Sequence, residues 1–338
     1  MNILVTGGAG FIGSHFVRTV IADEHVELVG ADITVLDSLT YSGNPANLAS
    51  VAGNSRLRFV EGDVCDPGTV ERLVAGHDAI VHFAAETHVD RSIESGPVFG
   101  RTNVMGTLQL LESASRHRVD RFVHVSTDEV YGSIAEGAWS ETSPLLPNSP
   151  YSASKAGADL LALAYHRTHG LPVTVTRGSN TYGPYQFPEK IVPLFVTNLL
   201  DGRPVPLYGD GRNVRDWLHV DDHVRGVVLA LAAGRAGEVY NIGGGTELTN
   251  RELTGRLLRA CGAGWDSVVH VPDRKGHDLR YALDIGRISA ELGYAPRVPF
   301  DEGLTATVEW YRARRDWWSA ARRRRYGHPD PATPVSGR

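Results

Sequence analysis

The chain has 338 residues, 42% apolar and 22% charged, ordinary proportions for a globular protein of one large or two medium domains. Of its 34 basic residues only three are lysine, Lys155, Lys190 and Lys275, and the formal net charge is −5. Seven arginines and one acid, Asp316, fall between Arg312 and Arg325, a stretch of +6 that leaves −11 on the rest. So acidic a body excludes a protein whose main task is to grip a nucleic-acid backbone.

Two cysteines, Cys65 and Cys261, are too few for a disulfide framework and suit a reducing interior. Met1 runs directly into a strand and a glycine motif with no secretory pattern, and the most apolar later run, 227–233, is far below the ~20 residues needed to span a bilayer. A cytoplasmic protein with no membrane partner is expected.

In chain order, strands are expected over 3–6, 33–36, 57–60, 79–83, 122–126 and 171–176, and helices over 11–22, 67–75, 98–116 and 152–169. Strands and helices taking turns imply βαβ units, hence an α/β fold with a Rossmann-like doubly wound parallel sheet. After Gly178 glycine and proline become frequent, and 180–193 and 206–222 read as functional loops; helices resume over 223–233, 250–261 and 301–315. The expected division is 1–178 for the dinucleotide domain, with room for later strands to return to its sheet. A smaller, mostly helical C-terminal substrate lobe follows over 179–318, then a flexible tail over 319–338.

Thr6-Gly7-Gly8-Ala9-Gly10-Phe11-Ile12-Gly13 spaces Gly7, Gly10 and Gly13 between a strand and a helix. Early glycines permit a tight turn and close backbone approach to a pyrophosphate; the last lets helix and strand pack, and the helix N-terminus offers amide donors. Asp37 closes the second strand, where a carboxylate accepts from both ribose hydroxyls and repels a 2′-phosphate, so NAD is favoured over NADP. A surface aspartate opening a loop would look the same locally. Asp63 and Val64 are placed beside the adenine, and Phe83, Ala84 and Ala85 along the cofactor.

Tyr151 and Lys155 stand four apart at the start of a helix, which puts both on one face. A tyrosine with its pKa near ~10 is a poor base until a neighbouring ammonium stabilises the phenolate. Ser126-Thr127-Asp128-Glu129 follows a strand whose carboxyl end borders the crevice of a parallel sheet. Adjacent acids there form an acid/base pair if their surroundings split their pKa values; the same composition also suits a helix N-cap, and the local sequence leaves both readings open.

Taken together, these motifs resemble the extended short-chain dehydrogenase/reductase family, and among its nucleotide-sugar enzymes the dehydratases, over roughly residues 1–318. The distinguishing segment is Ser126-Thr127-Asp128-Glu129-Val130-Tyr131-Gly132. Further segments are His88–Ser92, Tyr182–Lys190, Leu207–Gly211, Arg215-Asp216-Trp217 and Arg274–Asp278. The resemblance implies 4,6-dehydration of dTDP-glucose with NAD: Tyr151, helped by Lys155 and Thr127, takes the C4 hydroxyl proton as hydride leaves C4; Glu129 removes the C5 proton as Asp128 protonates the departing C6 hydroxyl; hydride returns to C6. It adds Phe11, Ile12, Ser38, Leu39, Thr40, Thr87, Thr102 and Thr181 to the cofactor contacts, with Tyr151 and Lys155 shared. For the substrate it implies Arg215 and Arg274 on the phosphates. Thr87, Thr127, Asn180, Glu189, Lys190, Pro206, Leu207, Tyr208, Asn250, His277 and Asp278 would line the sugar-nucleotide pocket. A homodimer through the helices at 98–116 and 152–169 is also implied, and no metal or nucleic acid is expected. A 4-epimerase or a dehydratase of UDP- or CDP-sugars is the alternative, and a non-catalytic NAD-binding protein the remote one. Gly178, Thr181, His219 and Lys275 depart from the family pattern, and the Arg-rich stretch reads as a solvated face outside the site.

Overall fold

The computed structural model describes residues 1–326. Among them, seven parallel strands form one sheet in the order Val239–Ile242, Val173–Gly178, Arg121–Thr127, Ala79–His82, Asn2–Thr6, Asp32–Asp37, Leu57–Glu61. The chain starts in Asn2–Thr6, winds outward one way and then returns to Ala79–His82, so the direction of winding reverses between those two strands. A parallel sheet carries its ligand crevice at this reversal, outside the carboxyl ends of the strands.

The central strands are apolar throughout because helices cover both faces. On one face Ile3, Val5, Val35 and Val81 pack with Phe16 and Val17 of the helix Phe11–Ile21 and with Val224, Val227 and Val228 of the helix Val220–Ala233. On the other, Leu4, Leu36, Ile80 and Phe122 meet Val70, Leu110, Leu111 and Ala162 from the helices Pro67–Val74, Thr107–His117 and Pro150–His169. The helix expected over 98–116 is interrupted: a π-helical stretch, Gly100–Gly106, joins Pro97–Phe99 to Thr107–His117. The wider turn seats the buried Asn103, which donates to Ser154 Oγ at 2.8 Å and to Glu86 O at 3.0 Å and accepts from Glu86 N at 2.8 Å.

The second lobe corrects the sequence reading in two respects. Helices prevail in it as expected, but it also carries strands that were not: Asn180–Tyr182, Val214–His219 and Glu247–Thr249 form a three-stranded sheet, and Val205–Tyr208 pairs with Val268–Val271. The stretches read as loops, 180–193 and 206–222, therefore contain strands and the starts of the helices Ile191–Leu200 and Val220–Ala233. The Arg-rich stretch is also not simply a solvated face. A helix, Arg315–Tyr326, runs through the start of the expected tail, and Arg322 on it is buried and bonded to Thr197 and Asn198; residues 327–338 lie outside the described part. The lobe has its own core, in which Tyr182, Phe195, Trp217, Phe300, Tyr311 and Trp318 meet. Among the described residues no helix is long and apolar enough to cross a membrane.

Candidate active site

A cavity of about 860 Å³ opens at the sheet's reversal point and continues between the sheet and the second lobe. Its floor is the glycine turn. Gly7 has φ 71°, and a Cβ there would lie 2.6 Å from Ala84 N; one on Gly13 would lie 2.3 Å from Gly7 O. Only glycine fits this approach of strand to helix. Gly10 caps the helix Phe11–Ile21, whose first turn holds no acid, so its amides and dipole are open to an anion.

Asp37 is buried, and its two oxygens accept from Ala9 N and Leu39 N, each at 2.9 Å. Burial pushes its carboxyl up while those two amides pull it back. Leu39 is the one proposed cofactor residue that does not line the cavity: with φ 50° it turns its amide onto Asp37 and so serves the carboxylate, not the ligand. Phe11, Ile12, Ser38, Thr40, Asp63, Val64, Phe83, Ala84, Ala85, Thr87 and Thr102 all face the cavity. An anion-accepting turn, a carboxylate at the end of the neighbouring strand and a wall containing Ala84 and Ala85 fit a dinucleotide.

Thr127, Asp128, Glu129, Tyr151 and Lys155 converge at the other end of that wall. In the Ser-Thr-Asp-Glu segment the capping reading falls to Thr127, and the two acids face the cavity. Thr127 caps the short helix Asp128–Tyr131, accepting Glu129 N at 3.3 Å and donating to Asp128 Oδ1 at 3.2 Å, while both carboxyls line the cavity. Asp128 Oδ2 is buried with no hydrogen-bond partner among the described residues. Glu129 Oε2 accepts from Ser152 Oγ at 3.2 Å.

The two neighbours sit in different fields. Asp128 is driven well above the carboxylate range by burial, then by the like charges of Glu129 and Asp216. Burial also raises Glu129, but Lys190, Arg215 and Arg274 pull it back. The like charges thus favour the protonated form of Asp128, while the cations favour the ionised form of Glu129.

Lys155 donates to Val125 O at 2.8 Å, and burial lowers its ammonium to about 8, opposed by Asp159 one turn along the helix. Tyr151 is buried, which lifts its phenol well above 10, with Glu129 adding to the rise and the Thr127 hydroxyl opposing it. Tyr151 becomes a base only with positive charge brought close.

On the substrate side Lys190 donates to Thr87 O at 2.6 Å. Arg215 donates to Val214 O at 2.7 Å and to Asp278 O at 2.9 Å, and stacks on Tyr281 at 4.4 Å. Arg274 lies against Asp90, Nε to Oδ1 2.5 Å, and over the ring of Tyr208. Asn180, Glu189, Pro206, Leu207, Asn250 and His277 complete that wall, His277 holding Asp273 at 2.6 Å. Asp278 also faces the cavity, but its carboxylate is taken up by Asn148 at 2.6 Å and by the Tyr281 hydroxyl.

Thr181 lines the cavity yet its hydroxyl is spent on Ser179 O at 3.0 Å and His223 Nδ1 at 2.7 Å. The same imidazole accounts for Gly178: a Cβ there would lie 2.4 Å from His223 Cε1. His219 caps the helix Val220–Ala233 and packs edge-on to Tyr182 at 5.3 Å, and Lys275 is exposed and outside the cavity. Sequence reasoning gave no role to Asp90, Tyr281 and His223. Asp90 lay inside a quoted motif; Tyr281 and His223 carried no local signal.

The family model described as GDP-mannose 4,6 dehydratase matches residues 4–307. A dTDP-glucose 4,6-dehydratase of Streptomyces niveus is 63% identical over 337 residues, covering 100% of this chain and 99% of that protein. The crystal structure of DesIV, a dTDP-glucose 4,6-dehydratase from Streptomyces venezuelae with NAD and TYD bound, superposes with a TM-score of 0.94 at 64% identity, over 95% of this chain and 100% of that one. A dTDP-glucose 4,6-dehydratase from Bacillus anthracis in complex with NAD gives a TM-score of 0.87 at 47% identity, over 95% and 99%. The chain belongs to the family described as GDP-mannose 4,6 dehydratase, alongside the dTDP-glucose 4,6-dehydratases.

Proposed function

We propose that this chain converts dTDP-glucose to dTDP-4-keto-6-deoxyglucose and water, with NAD held through the cycle. The observation that carries the reading is the split between Asp128 and Glu129, since redox chemistry at C4 alone, as in an epimerase, has no use for an adjacent acid and base. Bound NAD supplies the hydride acceptor for C4 and the hydride donor for C6. Tyr151 takes the O4 proton, its phenolate stabilised by Lys155 and oriented by Thr127. The 4-keto group then acidifies C5–H, Glu129 removes that proton, and Asp128 delivers its own to the C6 hydroxyl as water departs.

NAD is held at the glycine turn by the amides of 10–13 and by Asp37. Arg215 and Arg274 take the diphosphate through charge-assisted hydrogen bonds, Arg274 exchanging Asp90 for it. Incubation with dTDP-glucose and separately with UDP-glucose, followed by the alkali-dependent absorbance of a 4-keto sugar, tests the assignment. Turnover of the UDP sugar alone would overturn it.

The chain acts as a homodimer in the cytoplasm, without membrane or nucleic acid. Val98, Met105 and Leu160 are large apolar residues left exposed on the helical layer formed by 97–117 and Pro150–His169, a face that a second copy would cover. A monomeric mass by sedimentation would refute the dimer, and recovery in the membrane fraction would refute the location.

A further inference from the structure

A hydrogen-bonded path joins the C-terminal helix to the glycine turn. Trp317, in Arg315–Tyr326, donates its indole N–H to Asn47 Oδ1 at 3.0 Å. Asn47, buried in the single turn Pro45–Leu48, donates from Nδ2 to Ala9 O at 2.9 Å, and Asn44 N reaches the same carbonyl at 3.0 Å. Ala9 is inside the glycine turn, and its N–H is the donor to Asp37 Oδ2 at 2.9 Å. Three hydrogen bonds in series thus connect residue 317 to the carboxylate assigned to the ribose.

The helix is held at two places, around the indole and at Arg322. The indole ring packs against Tyr185 and Trp310 with centroids 5.7 and 5.1 Å away. Tyr185, held at φ 68°, carries the guanidinium of Arg18 at 4.0 Å over its ring. Arg18, from the helix that the glycine turn opens, also donates to Asn47 O at 2.8 Å. Further along the helix Arg322 donates to Thr197 Oγ1 at 2.5 Å and Asn198 Oδ1 at 2.6 Å and pairs with Asp201 at 3.2 Å; Arg315, at the helix start, pairs with Asp201 as well. These cations sit at the C-terminal end of Ile191–Leu200, where the helix dipole favours positive charge. That helix begins directly after Glu189 and Lys190 in the cavity.

We propose that the C-terminal helix is a strap that holds the glycine turn in its dinucleotide-binding shape, with Trp317 as a positioning residue acting through Asn47 and Ala9. The inference rests on the reading of that turn as the NAD site. Removing the indole donor leaves Asn47 Oδ1 without the bond that orients its amide. Ala9 then loses one of the two donors that fix its carbonyl, and the turn amides facing the pyrophosphate loosen. The net worth of one such hydrogen bond corresponds to about a three- to tenfold change in affinity.

Trp317→Phe in the full chain keeps a ring in the aromatic cluster and deletes only the donor. On protein freed of bound nucleotide, the Kd for NAD+ should rise three- to tenfold, chiefly through faster dissociation, with reduced NAD-dependent protection of residues 7–13 in hydrogen exchange. Asn47→Leu should give the same loss, and the double variant no more than either alone. Should Trp317→Phe not fold, Arg322→Met loosens the other end of the helix with Trp317 and Asn47 intact, and it should raise the Kd likewise. Wild-type NAD+ affinity in these variants, or additive losses in the double variant, would overturn the strap. So would a melting temperature lowered equally with and without NAD+. A wild-type chain that takes up no NAD+ would overturn the reading of the turn itself.

Discussion

Asp128→Asn separates chemistry from stability at one atom. Asparagine keeps the shape and the acceptor for the Thr127 hydroxyl, 3.2 Å from Oδ1, and replaces an Oδ2 that has no partner among the described residues. An acid whose folded pKa is raised carries a proton that the unfolded chain has released. The wild type therefore loses stability as pH climbs from the ordinary carboxylate value, 3.8, toward the raised one, and asparagine pays no such penalty. The variant should be at least as stable as the wild type at pH 7, and its melting temperature should vary less with pH above 4. Catalysis should move the other way. Loss of a positioned general acid costs about 10²- to 10⁴-fold, some 3–5.5 kcal/mol in the barrier to water loss. Oxidation at C4 needs only Tyr151 and Lys155, so a single turnover with dTDP-glucose should build up the near-ultraviolet absorbance of the reduced nicotinamide with little 6-deoxy product. Turnover within about tenfold of wild type, an order of magnitude short of the expected loss, would refute Asp128 as the acid. A melting temperature several degrees lower at neutral pH would refute the claim that it is held protonated.

Lys155→Met should abolish C4 oxidation yet not cost stability at pH 7. An ammonium lowered from 10.5 to about 8 is penalised by about 3 kcal/mol below pH 8, and urea titrations should show the wild type gaining stability between pH 8 and 10.5 while the variant does not. Gly178→Ala should cost about 1–3 kcal/mol by thermal unfolding, because the new methyl meets the His223 ring at 2.4 Å, and a second change, His223→Ala, should recover part of that loss. Arg274→Ala should raise KM for dTDP-glucose about 10- to 100-fold with a smaller effect on kcat, since a charged hydrogen bond to phosphate is lost. Diphosphate at Arg215 and Arg274 neutralises part of the field that pulls Glu129 down, so the acid limb of kcat should lie at higher pH than that of kcat/KM; coincident limbs would contradict it.

The parts of the site legible in sequence are those built within one element. Tyr151 and Lys155 share a face because a helix repeats every 3.6 residues. Asp128 and Glu129 follow a strand that had to end at the crevice, and Gly7 to Gly13 sit between a strand and a helix. What was not legible depends on chain crossings. Arg274 meets Asp90 across 184 positions, and Trp317 meets Asn47 across 270. Gly178 faces His223 from a different element. The strands Asn180–Tyr182 and Glu247–Thr249 have three residues each, too short for an alternating pattern to register. Leu39 points away because its backbone, not its side chain, does the work.

The charge distribution follows the same division. The net −5 and the acidic body say nothing of how a doubly negative sugar nucleotide is held, because the cations that matter are few and are placed by the fold. Lys190 comes from the head of Ile191–Leu200, Arg215 from the strand Val214–His219, and Arg274 from the connection after Val268–Val271. All three converge on Glu129, while Asp128, its neighbour in sequence, is pressed by Asp216. In the proposed reaction one set of cations thus has two uses: it would receive the phosphates, and it favours ionisation of Glu129 where burial and like charge disfavour that of Asp128. A uniformly basic cavity would bind the substrate but ionise both acids, and a uniformly acidic one would protonate both. Only an uneven field lets neighbouring residues act as acid and base in one elimination.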